Sequence, residues 1–156
     1  MSEPESGRAT VRKVPIIVIH SLSHAIAALS AAAEAEGSVV LLSASDAGIY
    51  AGPGWWKGLV AAAREAVSAA QFAALLDCGD DAGAAMGAIR AGIAAVVFTG
   101  HADVARRLAD IAAQAGAALV TERTVPALDL GEPFFADDET VRRRCAEILA
   151  SPPVFC

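Results

Sequence analysis

At 156 residues and 15.8 kDa the chain has the size of one ordinary domain, enough to bury a core. Its 12 basic and 18 acidic residues leave a net charge of −6, and the bases are scattered. That excludes nucleic acid as the main partner, because neutralising phosphates needs a basic surface. The hydrophobic share of 55% is swollen mostly by Ala, and no apolar run approaches the roughly 18–20 residues of a membrane span, so no membrane partner is expected.

Residues 1–13, MSEPESGRATVRK, are polar, lack the apolar core of a signal peptide and read as a disordered tail. Residues 14–150 read as a single α/β domain, and 151–156 as a second tail. The three thiols, Cys78, Cys145 and Cys156, are odd in number and lack metal-type spacing. Without an export signal they predict reduced cysteines in a cytoplasm.

Five short apolar runs recur along the domain: VPIIVIH (14–20), SVVLLSA (38–44), FAALLDC (72–78), AAVVFTG (94–100) and AALVTE (117–122). Most are continuous hydrophobics rich in Val and Ile, as in strands buried on both faces. Each is followed by a longer Ala-rich stretch of helical character. Three of these stretches close on Gly37, Gly92 and Gly116, the usual helix C-terminal signal. A last helix, DDETVRRRCAEILA, places acids in its first turn and arginines after them, as the helix dipole favours.

This alternation predicts a five-stranded parallel sheet with helices on both faces, flavodoxin-like in arrangement. The alternative is half of a (βα)8 barrel, closed by a second copy; a complete barrel needs about 250 residues. In the stretch YAGPGWWKGLV (50–60) a helix starting near Gly54 would carry Trp56, Leu59, Val60, Ala63 and Val67 on its sheet-facing stripe. Trp56 is then core. Trp55, about 100° away around a helix of 3.6 residues per turn, and Tyr50 are left as a wall beside a ligand or an anchor for a partner subunit.

Ligands of parallel sheets bind outside the carboxyl ends of the strands. Polar residues collect there: His20, Ser21, Ser23 and His24 after the first run, Ser43, Ser45 and Asp46 after the second. Asp77, Cys78, Asp80 and Asp81 follow the third, Thr99 and His101 the fourth, and Thr121, Glu122 and Arg123 the fifth. All three histidines of the chain lie on this edge. His20, Asp77 and His101 are the candidate catalytic groups, suited to proton transfer or metal binding. Ser21, His24, Ser45, Asp46, Tyr50, Trp55, Asp80 and Thr99 are the candidate ligand contacts. Ser23, Asp80 or Asp81, and His101 also stand where helix caps are favoured. Three histidines and a carboxylate are a possible zinc set, but no ligand motif fixes a metal, and the cofactor is unknown. Cys78 as a nucleophile would need a helix N-terminus to lower its pKa against flanking acids that raise it. GDDAGAAMG matches neither a Walker loop nor a dinucleotide fingerprint.

The stretch VPIIVIHSLSHAIAALSAAAEAEGSVVLLSA resembles the segment of class II, metal-dependent aldolases that carries a His-Leu-Asp-His motif after a barrel strand. In that family the Asp is an acid/base and the second His binds zinc. The resemblance implies a ligand role for His24, while Ser23 stands where the Asp would be. AAVVFTGHADVARRLADIAAQAGAALVTE is similar to the fourth strand and helix of response-regulator receiver domains, with Thr99 and Asp77 at the matching strand ends. The acidic pair that holds magnesium in receivers is replaced by His20 and Ser21, and the Lys after the fifth strand by Thr121, Glu122 and Arg123. Two function classes follow. One is a homo-oligomeric enzyme or binding protein for a small polar molecule, lyase- or aldolase-like; the other is a non-catalytic, receiver-like sensing or self-assembly domain.

Overall fold

Each of the five apolar runs forms a strand, the third starting one residue early: β1 (Ile16–Val18), β2 (Ser38–Leu42), β3 (Gln71–Asp77), β4 (Ala95–Val97) and β5 (Ala118–Val120). The computed structural model describes residues 14–131 and 136–150, so the two expected tails lie outside the described residues. A sixth strand, β6 (Leu128–Asp129), pairs in parallel with β1, Ile17 opposite Leu128 and Val18 opposite Asp129. The expected count of five is therefore corrected to six. Two residues, one of them an Asp, carry no hydrophobic period to be read.

The strand order is β5-β4-β3-β2-β1-β6, all neighbours parallel. A flavodoxin-like sheet has the order 2-1-3-4-5 and reverses direction; here successive strands simply step sideways. Every right-handed crossover of such a sheet carries its helix to the same side. Accordingly Ile17, Ile19, Val39, Leu41, Leu76, Val96 and Phe98 pack into one core with residues of all the helices. Val18, Leu42 and Val97, on the opposite face, form a small cluster with Ile16, Leu75 and Val120 and no helical residue. Among the described residues helices cover one face, not both. For β1 to β5 this order is that of consecutive units in a (βα)8 barrel.

The helices are α1 (Leu22–Glu34), α2 (Ala47–Tyr50), α3 (Gly52–Ala66), α4 (Ala82–Arg90), α5 (Ala102–Ala115) and α6 (Asp138–Ala150). Helix α1 packs against both α6 and α3. Its buried residues are mostly alanines (Ala25, Ala28 and Ala32 are fully buried), and such small side chains let it lie close to its neighbours. Gly116 ends α5 in the left-handed conformation, and Gly92 follows α4 at φ +85°. After α1 that role falls on Glu36, φ +53°, and not on Gly37.

Helix α3 begins two residues before the expected Gly54, with Pro53 in its first turn, where its missing N–H costs nothing. Of the expected stripe, Trp56, Leu59 and Ala63 are buried, Val60 and Val67 are only partly so, and Val67 stands past the end of α3; Trp55 is 39% and Tyr50 68% exposed.

Between β5 and β6 the chain runs from one edge of the sheet to the other in seven residues, 121–127. Fully extended, they reach about 25 Å, close to the span of five interstrand spacings of about 4.8 Å. The connection is therefore a strap across the carboxyl ends of the strands. It carries Arg123 to Asp77, which lies on the helix-free face, between the helix-side residues Leu76 and Cys78.

Candidate functional site at the carboxyl edge

Asp77, at the end of β3, is 2% exposed. Its Oδ1 accepts from the backbone N–H of Gly79 (2.8 Å) and of Asp46 (3.2 Å), which ties the β3 turn to the β2–α2 turn. Its Oδ2 accepts from Arg123 Nη1 at 2.6 Å, and Arg123 Nη2 donates to the Ser43 carbonyl at 3.2 Å. Ser43, also buried, accepts from the Asp77 backbone N–H through its hydroxyl at 2.9 Å. A buried carboxylate is tolerable only with this degree of pairing.

The turn that meets it is tight. Asp46 sits at φ +63°, a left-handed conformation that Asp accepts better than most residues, with its side chain against Gly79. Gly79 is itself at φ +56°, and a Cβ there would meet Asp46 Oδ1.

A second cluster forms where β1 and β6 end. His20 Nε2 donates to Asp129 Oδ1 at 2.7 Å, and Asp129 Oδ1 also accepts from the Gly131 backbone at 2.8 Å. A Cβ on Gly131 would lie 2.4 Å from His20 Nε2, so the ring occupies space that only glycine leaves free. The His20 backbone N–H donates to His24 Nδ1 at 3.1 Å, and the two rings meet edge to face at 6.0 Å between centroids. These bonds set opposite tautomers: His20 presents a bare Nδ1, His24 an Nε2–H. Burial resists ionisation of the Asp129 carboxyl, but hydrogen bonds from His20 and Gly131 and the charges of His20 and Arg123 outweigh it, and its pKa is lowered. The pKa of His24 is lowered by burial and by the neighbouring His20.

Each of the expected catalytic residues has a partner of its own. His20 pairs with Asp129, Asp77 with Arg123, and His101 caps α5, its Nδ1 accepting from the Asp103 backbone N–H at 3.2 Å. Ser21, rather than Ser23, caps α1 by accepting from the His24 backbone N–H, and Asp81, rather than Asp80, caps α4. Ser45, Asp80 and Thr99 are exposed at the same edge, and Tyr50 and Trp55 flank it at the α2–α3 junction. Burial and the nearby Asp77 and Asp81 push the Cys78 thiol up to about 12, so it is no nucleophile at neutral pH. Asp129 and Gly131 have no signal in the sequence, because β6 has none. Arg123 and Ser43 are visible there as edge residues, but their pairing across the sheet is not.

No protein-family model matches the chain, and no curated protein matches it in sequence. Among solved structures, one from Coccidioides immitis, proposed to be a fructose-1,6-biphosphate aldolase, superposes with a TM-score of 0.58 at 18% identity over 68% of this chain and 39% of its own. One from Sinorhizobium meliloti 1021, proposed to be a tagatose 6 phosphate kinase, gives a TM-score of 0.47 at 19% identity over 88% of this chain and 45% of its own. The chain spans less than half the length of either structure. At such identity, what the chain shares with the first of them is a fold of parallel strands and helices.

Proposed function

We propose that the carboxyl edge of the sheet binds a small polar molecule and that His20 moves a proton on it, in a reaction of the lyase type. The His20–Asp129 pair carries this reading. A carboxylate on Nε2–H fixes the tautomer and stabilises the imidazolium formed when the opposite nitrogen takes a proton. In an aldol-type cleavage such a group takes the hydroxyl proton as the C–O bond becomes a carbonyl; the carbon–carbon electron pair passes into the substrate's other carbonyl as an enolate, which then takes the proton back from the imidazolium. Arg123 holds the strap at the same edge through Asp77. Fold likeness to a proposed aldolase, together with the partial motif at His20–His24, gives the lyase class its support.

The zinc chemistry of class II aldolases does not fit the donors present. Among the described residues no group of three or more His, Cys, Asp or Glu side chains is placed to hold an ion. No step is routed through a metal.

The test is a panel of small hydroxy-carbonyl compounds, assayed for binding by ligand-detected NMR and for cleavage by product analysis. His20→Ala should keep the fold and lose at least about 100-fold in turnover, the usual weight of a general acid/base. Cleavage undiminished in His20→Ala, or no compound bound by the native chain, sinks the reading. A second reading, self-association, draws on the helix-free sheet face around Ile16, Leu75 and Val120. A chain that sediments as a monomer at high concentration would count against it.

A further inference from the structure

A groove of about 750 Å³ opens at the other end of the sheet, away from the carboxyl edge. Helix α4 is nine residues against the fifteen of α3, and this leaves the amino-terminal parts of β3 and β4 without helical cover. The apolar floor includes Trp56, Val60, Phe72 and Ile93. Two cations stand at its rim. Lys57 Nζ donates to the Ala91 carbonyl at 3.0 Å, and the Arg64 guanidinium lies over the Phe72 ring, 4.8 Å from its centroid. One carboxylate, Glu65, also lines the groove. Its net charge is thus positive, in a chain whose net charge is −6.

Its volume falls in the range of small-molecule sites, which join an apolar lining to a few placed polar groups. We propose that this groove binds an amphipathic anion: a carboxylate, sulfonate or phosphate head on an aromatic or aliphatic body. The body lies on Val60 and on the part of Phe72 that the guanidinium leaves uncovered, and the head meets Lys57 and Arg64. Lys57 spends one of its three donors on Ala91, and a guanidinium stacked on a ring keeps its N–H edge free for an anion. The site is separate from the His20 cluster and stands or falls without it.

The probe is 8-anilinonaphthalene-1-sulfonate, titrated into the full chain and compared with its uncharged analogue, N-phenyl-1-naphthylamine. The expected result is saturable one-to-one binding with energy transfer from Trp56, read in a Trp55→Phe background. Lys57→Gln with Arg64→Gln should weaken it about tenfold or more, the scale of a lost charged hydrogen bond. Both side chains are exposed, so these variants keep the fold. Ala61→Trp, which fills the groove, should abolish binding. Equal affinity for the two probes, or sulfonate binding unchanged by the charge removals, overturns the proposal. A dimer that Ala61→Trp splits would assign the groove to a second copy and overturn it as well.

Discussion

Asp77 shows how one buried group ties chemistry to stability. Two backbone N–H groups and Arg123 satisfy its carboxylate, and Arg123→Ala strips away the only countercharge bonded to it among the described residues. Breaking such a pair should cost about 2–4 kcal/mol, somewhat less than for a fully dry pair because Arg123 keeps a quarter of its surface exposed. Urea unfolding of the variant measures it. Asp129 and His24 set the acid limit. Both have lowered folded pKa values, so each favours the native state above its unfolded pKa and loses that contribution as pH falls towards the folded value. For His24 the loss begins near the ordinary value of 6.5, and for Asp129 it begins near 3.8. The midpoint of thermal unfolding should decline from just above pH 6.5 downward, and His24→Gln should flatten the upper part of that decline. Burial also raises Cys145, to about 11. Iodoacetamide at pH 8 should therefore leave Cys78 and Cys145 unmodified until denaturant is added, as peptide mapping would read.

At the level of elements, the two adjacent tryptophans of α3 divide cleanly. Trp56 is 1% exposed, and Trp56→Ala should cost about 3–5 kcal/mol. Trp55→Ala should leave stability nearly intact while weakening whatever binds at the edge, and paired urea melts separate the two outcomes. The short helix α2 depends on Gly48, where a Cβ would lie 2.4 Å from Cys78 Sγ and 3.0 Å from the Asp77 carbonyl. Gly48→Ala must push α2 off β3, and amide exchange should then quicken at Ile49 and Tyr50, whose N–H groups bond to the Asp46 carbonyl. Strands β1 to β5 and the long helices were legible because period and punctuation agree over many residues. Helix α2 and β6 were not, at four and two residues each. Nothing that short carries a period.

For the whole molecule, the decisive fact is strand order. With successive strands side by side, all crossovers fall on one face, and the other keeps an apolar cluster without helices. The strap then has to join the two edges, and Arg123 fastens it to the middle of the sheet. The sequence by itself determined the elements, the parallel α/β class, the core role of Trp56 and the gathering of polar residues at one edge. These follow from local periodicity and from where each strand must end. Only the tertiary structure decided which strands are neighbours, which face the helices take, and which polar residues meet. Sequential and reversing orders use the same right-handed units, so no local pattern separates them. The pairs that define the edge, His20 with Asp129 and Asp77 with Arg123, join residues 109 and 46 positions apart and exist only once the sheet has formed.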